Sequence, residues 1–184
     1  TLLPSMKTLH YHAEAVHDFA WVASPDYVRG DTTWSGIAVR SLCFRSDQKL
    51  WSESKRDVVD AMRHHTETVG PYIWPQFTTS EAWCGGGAME YPMLIMNEPD
   101  VASPLAHSLD DTIAHELGHN WFYGMLGSDE RAHPWLDEGF AQFIEDDYTD
   151  RKYPHGQFRW ADRLPWLAPW GAFTRDEMSY LSRA

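Results

Sequence analysis

The chain has 184 residues, with 15 Lys and Arg against 27 Asp and Glu, for a formal net charge of −12. That balance carries no basic footprint, so no nucleic-acid partner is expected, no apolar run is long enough for a signal peptide or a membrane span, and two cysteines, Cys43 and Cys84, are too few for a disulfide framework. The length suits one domain with a core of its own, so residues 1–184 read as a single domain; the start at Thr1 rather than Met reads as an excised or processed piece of a longer protein, and the compartment is left open.

In chain order, Val16 to Ala23 and Thr33 to Phe44 are rich in β-branched and aromatic residues and predict strands. Ser54 to Val69 predicts a helix with Val58, Met62, His65 or Thr66, and Val69 on one stripe, stopped by Gly70-Pro71. GGGAMEYPMLIM, residues 85 to 96, predicts a strand opened by glycines. Pro92 has no N–H to donate and assigns that strand to a sheet edge, where an extended peptide could add by strand pairing. A loop with two prolines follows, from Asn97 to His107. Ser108-Leu109-Asp110-Asp111 resembles a capping box and opens a helix running to about Gly124. A second helix begins near Pro134, with Leu136, Phe140, Phe143 and Ile144 as its buried face and Glu145, Asp146 and Asp147 solvated. The tail is irregular until a short helix near Arg175 to Ser182, and Trp160, Trp166 and Trp170 read as apolar surface for an absent part. Strands first and helices later predict an α+β fold.

The helix from Ser108 carries His115-Glu116-Leu117-Gly118-His119. Histidines four apart share one helix face and can reach one ion, while Glu116 sits about a third of a turn away, free to hold a water without ligating the metal. A catalytic zinc needs a third protein ligand and an open position. The extended pattern ending in a third histidine fails, because Phe122 and Met125 stand where Gly and His are required. Glu138 on the next helix, 18 intervening residues after His119, completes the His, His, Glu composition known for catalytic zinc. One Zn2+ per chain is expected, held by His115, His119 and Glu138.

HELGHNWFYG followed by WLDEGFAQF, with GGGAMEYP upstream, resembles the gluzincin aminopeptidases, the membrane alanyl aminopeptidase family. The upstream stretch is similar to that family's Gly-x-Met-Glu-Asn motif, with Tyr91 in the Asn position. The resemblance implies a thermolysin-like zincin catalytic domain, a mixed β-sheet followed by the helices that carry the zinc site. It also implies hydrolysis of N-terminal peptide bonds through a zinc-bound water. Glu116 is then the general base, and Glu90 takes the free α-amine of a peptide substrate. Gly87, Ala88 and Met89 are the matching backbone contacts. Asp137 and Gln142 are weighed as outer partners of the ligand histidines and read as structural. The family's oxyanion-stabilising tyrosine is expected beyond Ala184, since Tyr148, Tyr153 and Tyr180 lie in no recognisable context. The substrate expected is a peptide with a free N-terminus, and flanking N-terminal and C-terminal domains of a parent protein are expected as missing partners. A thermolysin-type endopeptidase and a zinc-binding fragment inactive without those domains are the alternatives. The remaining histidines, His133 included, read as structural or surface.

Overall fold

A computed structural model describes residues 8–156, 158 and 159. The expected helix at Arg175 to Ser182, Tyr180, and Trp160, Trp166 and Trp170 lie outside the described residues.

Five strands form one mixed sheet: β1 (Tyr27–Trp34), β2 (Ile37–Phe44), β3 (Gln76–Glu81), β4 (Ala88–Met89) and β5 (Leu94–Asn97), in the spatial order β1-β2-β3-β5-β4. The outer pairs β1–β2 and β4–β5 are antiparallel, and β2–β3 and β3–β5 are parallel. Parallel neighbours need a crossover. Helix α1 (Ser54–Thr68) supplies it between β2 and β3. Helix α2 (Ser108–His119) follows β5, and α3 (Glu138–Lys152) closes the described chain against α2. The α+β class therefore holds at the level of a mixed sheet followed by helices.

The core lies between the sheet and α1 and α2. Val39, Phe77 and Ile95 from three adjacent strands meet Val58, Ala61 and Met62 of α1 and Ile113 and Leu117 of α2, all of them fully buried. Burying an aliphatic or aromatic side chain of this size stabilises by roughly 1.5–3 kcal/mol, so this layer holds α2 on the sheet. The stripe read for α1 survives through Val58, Met62 and His65, while Val69 is exposed beyond the helix end.

The first strands differ from the sequence expectation. Thr33 to Phe44 is not one strand: Ser35 and Gly36, both at positive φ, form a two-residue turn that folds β1 back on β2. Val16 to Ala23 forms no strand. Val16, with Ala13 just before it, lies against the core, and Trp74 Nε1 donates to the Glu14 carbonyl at 3.2 Å, while Phe19 and Trp21 are exposed. Strand composition reports a half-buried surface as much as a ladder. The stretch 85 to 96 is likewise broken, into β4 and β5, by a turn closed by Leu94 N donating to the Tyr91 carbonyl, with Met93 at φ 62°. Its position at the sheet edge, through β4, is as expected.

The helical expectations are corrected in two places. Ser108 makes no capping box; its hydroxyl donates to the Val101 carbonyl at 2.6 Å, and His107 occupies the cap position. The second helix starts at Glu138, after a 3-10 turn at Pro134–Leu136. Its buried stripe is Ala141, Ile144, Glu145 and Tyr148, at the i, i+3, i+4, i+7 spacing of one face. Phe140 and Phe143 are exposed, and Glu145, expected in solvent, is buried. The face turned to α2 thus combines Ala141, Ile144 and the aromatic Tyr148 with one buried carboxylate, Glu145. Phe140 stacks on Phe122 instead, with ring centroids 5.2 Å apart.

Candidate metal centre

Three elements converge at the C-terminal end of α2. That helix carries His115, Glu116 and His119 and then widens into a π-helical turn, Asn120–Met125. The first turn of α3 carries Glu138, and the turn after β4 carries Glu90. The close approach of α2 and α3 rests on Gly118. A Cβ added there would lie 3.0 Å from Ile144 Cγ2 and 3.5 Å from Ala141 Cα, so even a methyl group requires the Ile144 side chain to give way.

His115 Nε2 and His119 Nε2 face each other at 3.1 Å. Glu138 Oε2 lies 3.2 Å from the first and 3.7 Å from the second. The other nitrogen of each imidazole is engaged by a carboxylate. His115 Nδ1 donates to Glu145 Oε2 at 3.1 Å, and His119 Nδ1 donates to Asp137 Oδ1. With the protons of the neutral rings on Nδ1, both Nε2 atoms present bare lone pairs to each other and to a carboxylate oxygen. That arrangement is repulsive unless a cation, or a proton on one ring Nε2, lies between the three atoms. In a tetrahedral zinc site with nitrogen and oxygen ligands the donor atoms lie about 3.3 Å apart, close to the separations here. The donor set therefore fits a zinc ion held by His115, His119 and Glu138.

The electrostatics agree. Burial works against charge on His115, yet hydrogen bonds to Glu138 and Glu145 lift its pKa to about 10. Burial likewise opposes charge on His119, while its bond to Asp137 raises it. Both rings sit where positive charge is favoured. Glu116 is buried, and its Oε2 has no hydrogen-bond partner among the described residues. Burial pushes its carboxyl up to about 7 against the opposing pull of the two histidines.

Glu90 joins the site: its carboxylate, a His119 ring nitrogen and an Asp137 oxygen all lie within 4.8 Å of one another. Burial raises its pKa, opposed first by His119. Ala88 and Met89 form the edge strand β4, paired with Asn97 and Met96 of β5, and the Gly87 carbonyl accepts from Glu98 N at 2.8 Å. Asn120, next to His119, accepts from the Met93 backbone N–H at 3.1 Å through Oδ1 and so ties the turn carrying Glu90 to the end of α2.

Several contributors escaped sequence reasoning. Asp137 and Gln142 are weighed as outer partners of the histidines but read as structural; Asp137 meets His119 Nδ1, and Gln142 Nε2 donates to Glu145 Oε2 at 2.8 Å, steadying the partner of His115. Glu145 reads as solvated in the sequence; it stands seven residues after Glu138, on the same helix face, but at the head of an acidic run that hides its role. Asn120 and Glu98 had no comparable pattern. Of the other histidines, His65 is fully buried and donates from Nε2 to the Ala114 carbonyl at 2.8 Å; it also meets His64, which pairs with Asp147 on α3. These are structural links between α1, α2 and α3.

Comparison with known proteins places these motifs in context. The sequence pattern of the peptidase family M1 domain matches residues 71–180. Leucine aminopeptidase 2 of Emericella nidulans is 30% identical over 152 residues, covering 76% of this chain and 23% of that protein. Leucine aminopeptidase 2 of Aspergillus clavatus is 29% identical over 135 residues, covering 70% of this chain and 21% of that protein. A leukotriene A-4 hydrolase homolog of Botryotinia fuckeliana is 29% identical over 123 residues, covering 63% and 19%. The chain thus spans about a fifth of the length of the curated relatives it matches.

Proposed function

This chain belongs to peptidase family M1, and from that premise we propose that residues 1–184 are a single thermolysin-like catalytic domain of a zinc-dependent aminopeptidase, acting on peptides with a free N-terminus. The observation that carries the proposal is the placement of Glu90 within 4.8 Å of His119 and Asp137, beside the cluster of His115, His119 and Glu138.

In this reading His115, His119 and Glu138 hold one zinc ion. Zinc, when bound, supplies Lewis acidity toward the scissile carbonyl and a water of lowered pKa. Glu116 acts as general base: its buried, unpartnered oxygen takes the proton from the attacking water and returns it to the leaving amine. Glu90 pairs with the α-ammonium of the substrate. A carboxylate fixed at that point sets how much chain fits between the terminus and the scissile bond, which favours removal of terminal residues over internal cleavage. Gly87, Ala88 and Met89 lie at the free edge of the sheet, where an extended peptide can add as a further strand. The names of the relatives, leucine aminopeptidase 2 and leukotriene A-4 hydrolase homolog, support the same class.

The test is Glu90→Ala in the full-length, metal-loaded protein. Activity on free-amine aminoacyl substrates is expected to fall about 30-fold or more, in line with the loss of a buried, charge-assisted contact of about 2–5 kcal/mol, with zinc content unchanged. Undiminished activity on those substrates, together with efficient cleavage of N-blocked peptides, would instead identify an endopeptidase.

A further inference from the structure

The segment that carries Glu90 begins with a loop that cannot hold itself. Gly85, Gly86 and Gly87 have no side chains, and a Cβ built on any of them meets nothing within 4 Å. Gly85 and Gly87 sit at φ 82° and 89°. Ordering residues of this kind costs more backbone entropy than any other type. The strand that follows has only two residues. Something else must fix this loop if β4 and Glu90 are to stand in one place.

Glu98, the first residue after β5, supplies the restraint. One carboxylate oxygen, Oε1, accepts from three successive backbone N–H groups, those of Cys84 at 3.1 Å, Gly85, and Gly86 at 3.3 Å. The backbone N–H of Glu98 donates to the Gly87 carbonyl at 2.8 Å. The loop forms a concave nest of N–H groups around an anion supplied by its own chain. The hydrogen bond from Gly85, against the opposing effect of burial, holds the Glu98 carboxyl below the ordinary range, so it stays ionised at neutral pH.

We propose that Glu98 is a positioning residue for substrate binding, clamping the Gly85–Gly87 loop so that the β4 edge and Glu90 are preorganised for a peptide terminus. The proposal rests on the aminopeptidase reading above. Glu98 does not touch substrate in this account. It acts through the loop amides, and its loss frees a segment that binding must then order.

Two variants of the full-length, zinc-loaded protein test it, Glu98→Ala and Glu98→Gln. In Glu98→Ala, KM for short peptides is expected to rise roughly tenfold while kcat falls less than threefold, because ordering is deferred to the binding step. Zinc content should stay at the wild-type level. Hydrogen exchange at the amides of residues 84–86 should quicken by at least tenfold. Glu98→Gln keeps an acceptor oxygen without the charge and should fall between wild type and Glu98→Ala in both readouts, which preserves the test if Glu98→Ala folds poorly. Unchanged KM and unchanged loop exchange would overturn the proposal, as would loss of zinc together with a general loss of protection. A wild-type protein inactive on all aminoacyl substrates would remove the aminopeptidase reading, while quickened exchange at the loop amides would still establish the clamp.

Discussion

At the scale of single residues, the chemistry of the centre depends on groups that never meet the metal position. Glu145 and Asp137 fix which ring nitrogen of His115 and His119 carries the proton, and so leave the two Nε2 atoms bare. Glu145→Gln offers an amide where His115 needs an acceptor of full negative charge. Zinc affinity, measured by competition with a chelator, is expected to fall roughly 10- to 100-fold, the usual cost of losing such a partner. An affinity within twofold of wild type would show that the neighbouring Gln142 can take over. That role was hidden in the sequence because Glu145 heads an acidic run, Glu145-Asp146-Asp147, which has the composition of a solvated face. The proposed ligand pair was legible because helical periodicity alone brings His115 and His119 together, and the fold sets Glu138 beside them. The partner of a histidine follows no fixed spacing, and only the packing of α3 on α2 reveals it.

At the scale of elements, the centre requires that α3 lie almost in contact with the backbone of α2. Gly118 is where that contact happens. Gly118→Val would drive a branched side chain into Ile144 and force the helices apart. Overpacking of this kind costs about 1–3 kcal/mol, and the shift would pull Glu138 away from the two histidines. Both a lower unfolding midpoint and a lower zinc affinity are expected, measured on the same variant. Loss of stability with full zinc affinity would mean that α3 tolerates the displacement. The sequence disclosed α1, α2 and α3 to within a few residues, because their apolar spacing and their stops are local features. It disclosed the sheet poorly. The β1–β2 turn depends on Ser35 accepting a positive φ, β3 was not read at all, and the apolar run after Glu90 concealed a turn at Met93. Strand boundaries are settled by pairing partners far away in the chain, and these leave little mark in a local window.

At the scale of the whole molecule, acid stability turns on groups buried between the layers. His65 is fully buried among α1, α2 and α3. Burial lowers its pKa to about 3, against an opposing hydrogen bond to Ala114. The unfolded ring takes up a proton near pH 6.5, and the folded one does not until about 3. Below pH 6.5 the unfolded state therefore binds more protons, and this contribution to stability is lost as the pH falls, by roughly 5 kcal/mol at its limit. Glu81, raised to about 7 chiefly by burial, works in the opposite sense, with stability falling as the pH rises from its unfolded value toward 7. Comparison of wild type with His65→Gln isolates the histidine. The urea midpoint of the wild type should drop relative to the variant between pH 6.5 and pH 4, and parallel curves would rule out a neutral buried imidazole as the cause.

The hydrogen bond from Met93 N to Asn120 Oδ1 joins two parts of the molecule with different origins, the tip of a sheet edge and the end of a helix. In effect it is a gauge block. Under the proposed function, the span between amine anchor and metal is set by main-chain geometry and by an asparagine facing neither ligand. Under that proposal, loosening this one tie would change the distance at which a terminus is accepted while leaving the donor set of the centre as it is.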